Sequence, residues 1–174
     1  MKAIRRAQCS VKAENESVSR RALQSGIAAG TLAAAFAAWR AASEGSTMLA
    51  PINAVTHCLW PRRAFSETGF SPRFTLTGFA IHQASAVFWA MLFEAVNARL
   101  ARGARRTDPV ATATAATATA ATAYIVDYHV VPERLTPGFD EHLSNRSLAG
   151  VYVALAVGFA GAALLRSRLQ GDRS

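Results

Sequence analysis

Residues able to do chemistry at membrane depth are few in this 174-residue chain: His82, Glu94, Asp127 and His129, with His57 in a short apolar stretch nearby. Neutral imidazole and carboxylate are the usual ligands of zinc, copper, iron and haem, which makes His57, His82, Asp127 and His129 the candidate metal ligands. Their spacing gives limited support. Asp127 and His129 are two apart, hence about 200° apart on a regular helix, and face one site only if the helix unwinds before Pro132. There is no HExxH, no histidine pair at i, i+4 and no His-rich tract. A second chemistry is a proton or ion relay through His82, Asp127 and Glu94. Glu94, however, sits beside Asn97 and Arg99, where snorkelling to the interface is the simpler expectation. For His82 the plain alternative is a hydrogen bond to a neighbouring helix, in a polar seam formed by Gly78, His82, Ser85 and Trp89 on one face. With no GxSxG, no P-loop and no Gly-rich dinucleotide turn, no catalytic residue is assigned, no cofactor is identified and an enzyme is not expected.

The elements that position these residues follow from composition. The chain is 51% hydrophobic and 17% charged, more apolar and less charged than ordinary soluble composition. Four windows lack any Asp, Glu, Lys or Arg: 22–39, 74–93, 110–126 and 147–165. At about 1.5 Å per residue each matches a hydrocarbon core of roughly 30 Å. The fold class expected is all-α, a transmembrane four-helix bundle. A soluble bundle would instead repeat a charged face along every helix. Residues 1–21 are polar throughout and read as a basic, disordered tail rather than a signal peptide. Residues 22–166 form the membrane domain and 167–174 a short basic end. Two cysteines, Cys9 and Cys58, without CxxC give no disulfide framework or zinc-knuckle spacing.

Arginine placement sets the orientation, because basic residues favour the cytoplasmic side of short loops. With four spans and the N-terminus inside, the basic residues of the tail, of the loop around 99–106 and of the C-terminus all fall inside. Arg40, Arg62, Arg63, Arg73, Arg134 and Arg146 are left outside. Counting residues 48–60 as a fifth span sends Arg99, Arg102, Arg105 and Arg106 outward and weakens the bias. That stretch is also too short to cross. Pro51 suits a first helical turn, so "PINAVTHCLW" reads as a short interfacial or re-entrant helix on the outer side. All four histidines then lie in the outer half or outer loops. By helical rise His82 is about 12 Å from the outer end and Asp127 about 6 Å.

Small residues recur at four-residue spacing, Gly26 with Gly30, and Gly150, Ala154, Gly158 and Ala162. Such stripes let helix backbones approach closely in lipid, within one chain or in a homo-oligomer through the second stripe. The third window, rich in Ala and Thr, spreads its hydroxyls around the helix and lines no polar stripe. It is expected to be the helix most surrounded by the others. The net charge of +8 lies almost entirely between the apolar runs, which points to anionic lipid headgroups and not to nucleic acid. At "PINAVTHCLW", "FAIHQASAVFWAMLFE" and "DYHVVPERLTPGFDEHLS" the chain resembles a family of small multi-pass proteobacterial inner-membrane proteins over roughly residues 22–166. The resemblance implies a compact helical protein of the bacterial inner membrane in which Asn53, His57, His82, Trp89, Asp127 and Pro137 belong to recognisable segments. It implies no catalytic residues. The expected role is structural or accessory, with an outer-side metal or haem protein and a small proton or ion transporter as alternatives.

Overall fold

A computed structural model of the chain describes the backbone of residues 2–100 and 108–171 and the side chains of 18–100 and 108–169. Arg102, Arg105 and Arg106, used above to set orientation, lie outside the described residues, as does Arg173. The described residues are all-helical, without a strand. Helix α1 spans Lys2–Ser43, so the segment expected as a disordered tail has helical backbone continuous with the first apolar window. Helix α2, Ala50–Ala54, carries Pro51 in its first turn and runs on as a 3-10 turn, Val55–Cys58. Helix α3 is Thr77–Leu100, entered through a π turn at Pro72–Leu76. Helix α4, Pro109–Ile125, starts where the Asp108 side chain accepts from the Val110 amide at 2.9 Å, and widens into a π turn at Val126–Val130. Helix α5 is Asn145–Gly171.

Three helical stretches, Val18–Ser43, Pro72–Leu100 and Asn145–Leu169, are long and apolar enough to cross a membrane. Helix α4 is built of Ala and Thr, which are only weakly apolar, and it ends as a regular α-helix after 17 residues. The long helices pack in cyclic order: α1 against α3 and α5, and α4 against the far sides of α3 and α5. Helix α4 therefore stands at the edge of α3 and α5. Its Ala113, Thr114, Thr117 and Ala118 are exposed. The expectation that it is the helix most surrounded by the others is corrected accordingly. The helix that collects most neighbours is α1, whose Gly and Ala content lets two helices press close.

On α1 and α4 the buried side chains are mostly small, and bulky apolar side chains are exposed along α1, α3 and α5. Ala22, Ala29, Ala33, Ala37 and Ala41 of α1, and Ala115, Ala116, Ala120 and Ala123 of α4, are at most 3% exposed. Leu23, Ile27, Phe88, Met91, Val153 and Val157 are exposed by 44 to 63%. On α1 and α4 small residues thus face the neighbouring helices, while many bulky apolar side chains of α1, α3 and α5 face outward. Gly158 shows why: a Cβ there would overlap the Ala29 backbone of α1. The larger core rings fill the centre, with Phe93 and Phe159 stacked at 5.2 Å between centroids.

Candidate functional site

One end of the helix array is closed by α2 and the loops before α3 and α5. Asn53, fully buried, organises this cap. Its Nδ2 donates to the carbonyls of Glu67 (2.7 Å) and Gly69 (2.8 Å), and its Oδ1 accepts from Thr75 Oγ1 (2.8 Å). All its hydrogen-bonding directions toward the protein are used, so a buried amide is tolerated. Gly78 lets α3 approach the Ile52 carbonyl of α2, where a Cβ would clash with the oxygen. The second loop is tied in by His57, whose Nε2 lies 3.0 Å from the Glu133 carbonyl and Nδ1 2.9 Å from the Ala54 carbonyl. Arg134 Nε donates to the Cys58 carbonyl at 3.1 Å. Gly138, at φ 73, turns the chain against the His57 ring, a backbone conformation that favours glycine.

Under this cap lies a cavity of about 240 Å³ between α1, α3, α5 and the π turn that follows α4. Its walls are mainly apolar, and its polar atoms come from His82, Ser85, Asp127, Thr136 and Tyr152. Tyr152 donates its hydroxyl to Asp127 Oδ2 at 2.8 Å, and the Trp89 indole is a second donor to that carboxylate. His82 Nε2 lies 2.9 Å from the Gly30 carbonyl of α1. A carbonyl only accepts, so the hydrogen-bond network assigns the ring proton to Nε2 and leaves Nδ1 as a bare acceptor. Thr136 Oγ1 and Cys58 Sγ donate to the Glu133 and Val55 carbonyls. The side-chain donors of His82, Thr136, Tyr152 and Cys58 are therefore spent on the protein, and Ser85 is an exposed hydroxyl of the lining.

Of the four candidate metal ligands, His82 and Asp127 line the same cavity, whereas His57 and His129 lie outside it. His57 is buried in the cap, stacked on Phe65 at 5.0 Å, with both ring nitrogens on carbonyls. His129 is exposed and sits edge-on to Tyr124. Even though residues 126–130 widen into a π turn, Asp127 faces Tyr152 and His129 does not follow it. Among the described residues no three His, Cys, Asp or Glu side chains are grouped to hold a metal ion. Of the relay partners, Glu94 stands apart from the other two. Glu94 lies twelve residues beyond His82 on α3, about 18 Å by helical rise, with Ala86, Ala90 and Phe93 buried between them.

Glu94 does not snorkel. It is 2% exposed and accepts from Ser25 Oγ (2.5 Å) on α1 and Arg166 Nη2 (2.6 Å) on α5. Arg166 Nη1 also reaches Ser25 at 3.3 Å, so three helices share one ion-paired cluster. Desolvation decides the geometry: a carboxylate at this depth is held best by a partner that comes to it. Nearby, Thr112 Oγ1 of α4 donates to Asn97 Oδ1 of α3 at 3.2 Å. At the capped end, sequence reading missed Glu44. It accepts from the Ser144 amide (2.7 Å) and from the hydroxyls of Ser144 (2.9 Å) and Ser147 (2.5 Å), and pairs with Arg40 (2.7 Å). These donors, the Ser144 amide foremost, hold its carboxyl down at about 2. The carboxylate caps the N-terminus of α5, where negative charge is favoured. His142, linked through Nδ1 to Ser46 Oγ at 3.2 Å, is held below the usual imidazole range by burial. The signal available in the sequence was only Glu44 just past an apolar window and Ser144 just before another.

Set against family models, curated proteins and solved structures, the chain matches none of them.

Proposed function

We propose that this chain is a four-span integral protein of a bacterial inner membrane, with both ends cytoplasmic and a structural or accessory role. The observation that carries the reading is the outward exposure of large apolar side chains along α1, α3 and α5, with alanine and glycine at the close helix contacts of α1. In water that arrangement exposes the groups that most favour burial. In hydrocarbon it is the expected one, because close backbone packing of small residues drives helix association there. Helix α4 with its π turn supplies the fourth crossing, its Thr114 and Thr122 hydroxyls returned to the carbonyls of Val110 and Ala118. The cap of α2 and the two loops lies on the outer side, Trp60 beneath the Arg73 guanidinium at 4.3 Å, suited to the headgroup region. The basic inner side meets anionic headgroups.

Gly150 and Gly158 face Phe36 and Ala29 of α1, which favours packing within the chain as the use of that stripe. Single cysteines placed at Thr68 and Leu169 in a background without Cys9 and Cys58 test the topology. A membrane-impermeant maleimide added to intact cells is expected to label Thr68→Cys and to leave Leu169→Cys unlabelled until the membrane is opened. The opposite pattern overturns the orientation, and equal labelling of both sites overturns the span count.

A further inference from the structure

The cavity beneath the cap has a chemical polarity that selects among ligands. Asp127 is a carboxylate in a mainly apolar chamber, and none of the side chains lining that chamber is Lys or Arg. Its hydrogen-bond partners, Tyr152 and Trp89, are neutral. A part-buried carboxylate gains from a cation partner, and the lining side chains supply none. Three other polar lining residues, His82, Thr136 and Tyr152, have their donors already spent on Gly30, Glu133 and Asp127 and keep only acceptor capacity.

We propose that this cavity binds a small primary ammonium compound with an apolar body, its N–H groups donated to Asp127 and its hydrocarbon against Ala33, Val55, Ile81 and Leu155. The inference rests on the membrane reading above, which places the chamber at the outer side. Three features distinguish this class from its neighbours. An inorganic cation asks for about six oxygen ligands, which these apolar walls do not offer. A ligand that only accepts hydrogen bonds, such as a carbonyl compound, finds one rotatable hydroxyl, Ser85, and otherwise acceptors. A quaternary ammonium has the charge but no N–H to donate. The size is bounded too: about 240 Å³ is the share of roughly eight waters at about 30 Å³ each, room for about eight heavy atoms.

Cyclohexylmethylammonium fits that size and is the probe. Calorimetric titration of the purified full-length protein in detergent, with cyclohexylmethanol and the N,N,N-trimethyl derivative as comparators, reads the selectivity. The primary ammonium is expected to bind saturably at one site, at least tenfold tighter than either comparator. Asp127→Asn is expected to weaken it at least tenfold. Ile81→Trp, which fills the chamber with the carboxylate intact, is expected to abolish it. Equal affinity for ammonium and alcohol, or binding unchanged in both variants, overturns the proposal. Should Asp127→Asn lose its helical circular dichroism, Ile81→Trp decides alone. Micellar partitioning is common to all the proteins and drops out of their differences. Absence of binding by a protein whose maleimide pattern is as expected removes the ligand and leaves the topology, whereas a reversed pattern removes the topology whatever the titration shows.

Discussion

At the scale of single residues, the charged groups divide into those that water can reach and those that only another side chain can satisfy. Glu94 and Arg166 belong to the second kind. Arg166→Ala strands a buried carboxylate, and a loss of about 3–5 kcal/mol is expected, read as the shift of a reversible unfolding transition in mixed micelles. Glu94→Leu combined with Arg166→Leu removes both charges and is expected to recover most of that loss. If the double variant is as unstable as the single one, packing and not the ion pair holds this end. Glu44 behaves differently because solvent surrounds it, and its contribution appears as pH dependence. Its folded pKa, about 2, lies below the ordinary 4.5, so its stabilisation is complete above about pH 4.5 and is lost as pH falls toward 2. His142 is also depressed from 6.5, so protonating it opposes folding in the same direction, beginning at a higher pH. A thermal melting profile from pH 7 to 2 is expected to fall in two stages, with the lower one absent in Glu44→Gln. None of these partners was legible in the sequence, because Ser25, Glu94 and Arg166 come from three helices up to 141 positions apart and no local spacing encodes such a meeting.

At the scale of elements, periodicity and charge-free length did their work where side chains are strongly apolar, and less where they are not. The windows that became α1, α3 and α5 were readable because a hydrocarbon slab demands length and tolerates little charge. The short helix at Pro51 was readable from proline and insufficient length. What could not be read was how deeply it sits. All of residues 50–57 are buried, both the Asn53 and His57 face and the Ile52 and Val55 face, because loops from both sides fold over it. The sequence left open whether this helix is interfacial or re-entrant, and the packed loops leave it no open face. The interface of α1 with α5 offers a direct test of backbone proximity. Gly158→Leu places a side chain where the Ala29 backbone already is, and a destabilisation of about 1–3 kcal/mol or more is expected. Gly161→Leu, on the same helix with no atom near its Cβ position, is expected to change stability by less than about 0.5 kcal/mol. Equal effects at the two positions would mean that helix propensity, not close approach, governs this pair.

At the scale of the whole molecule, the outward bulky side chains form one continuous condition on the solvent, since they cover α1, α3 and α5 alike. Soluble domains scatter exposed leucines singly; here large apolar side chains are exposed along α1, α3 and α5 together, and the buried face of α1 is mainly alanine. No arrangement of the polar clusters compensates for that in water, because the clusters lie at the two ends, Glu44 and Asn53 at one and Glu94 at the other. Val157 stands near the middle of α5, 58% exposed, and isolates the question of what surrounds the molecule. In water, Val157→Lys is a surface change of less than about 0.5 kcal/mol that raises solubility. In a hydrocarbon core the same lysine costs about 2.5–3.5 kcal/mol at the helix centre. The variant is therefore expected to reach the membrane fraction in reduced amount and, once there, to unfold more readily than the parent in micelles. Leu169→Lys, at the end of the same helix where a long side chain reaches the interface, is expected to leave both measurements unchanged. Depth dependence along a single helix is a property that lipid imposes and water does not, so indifference to position would remove the membrane from this account.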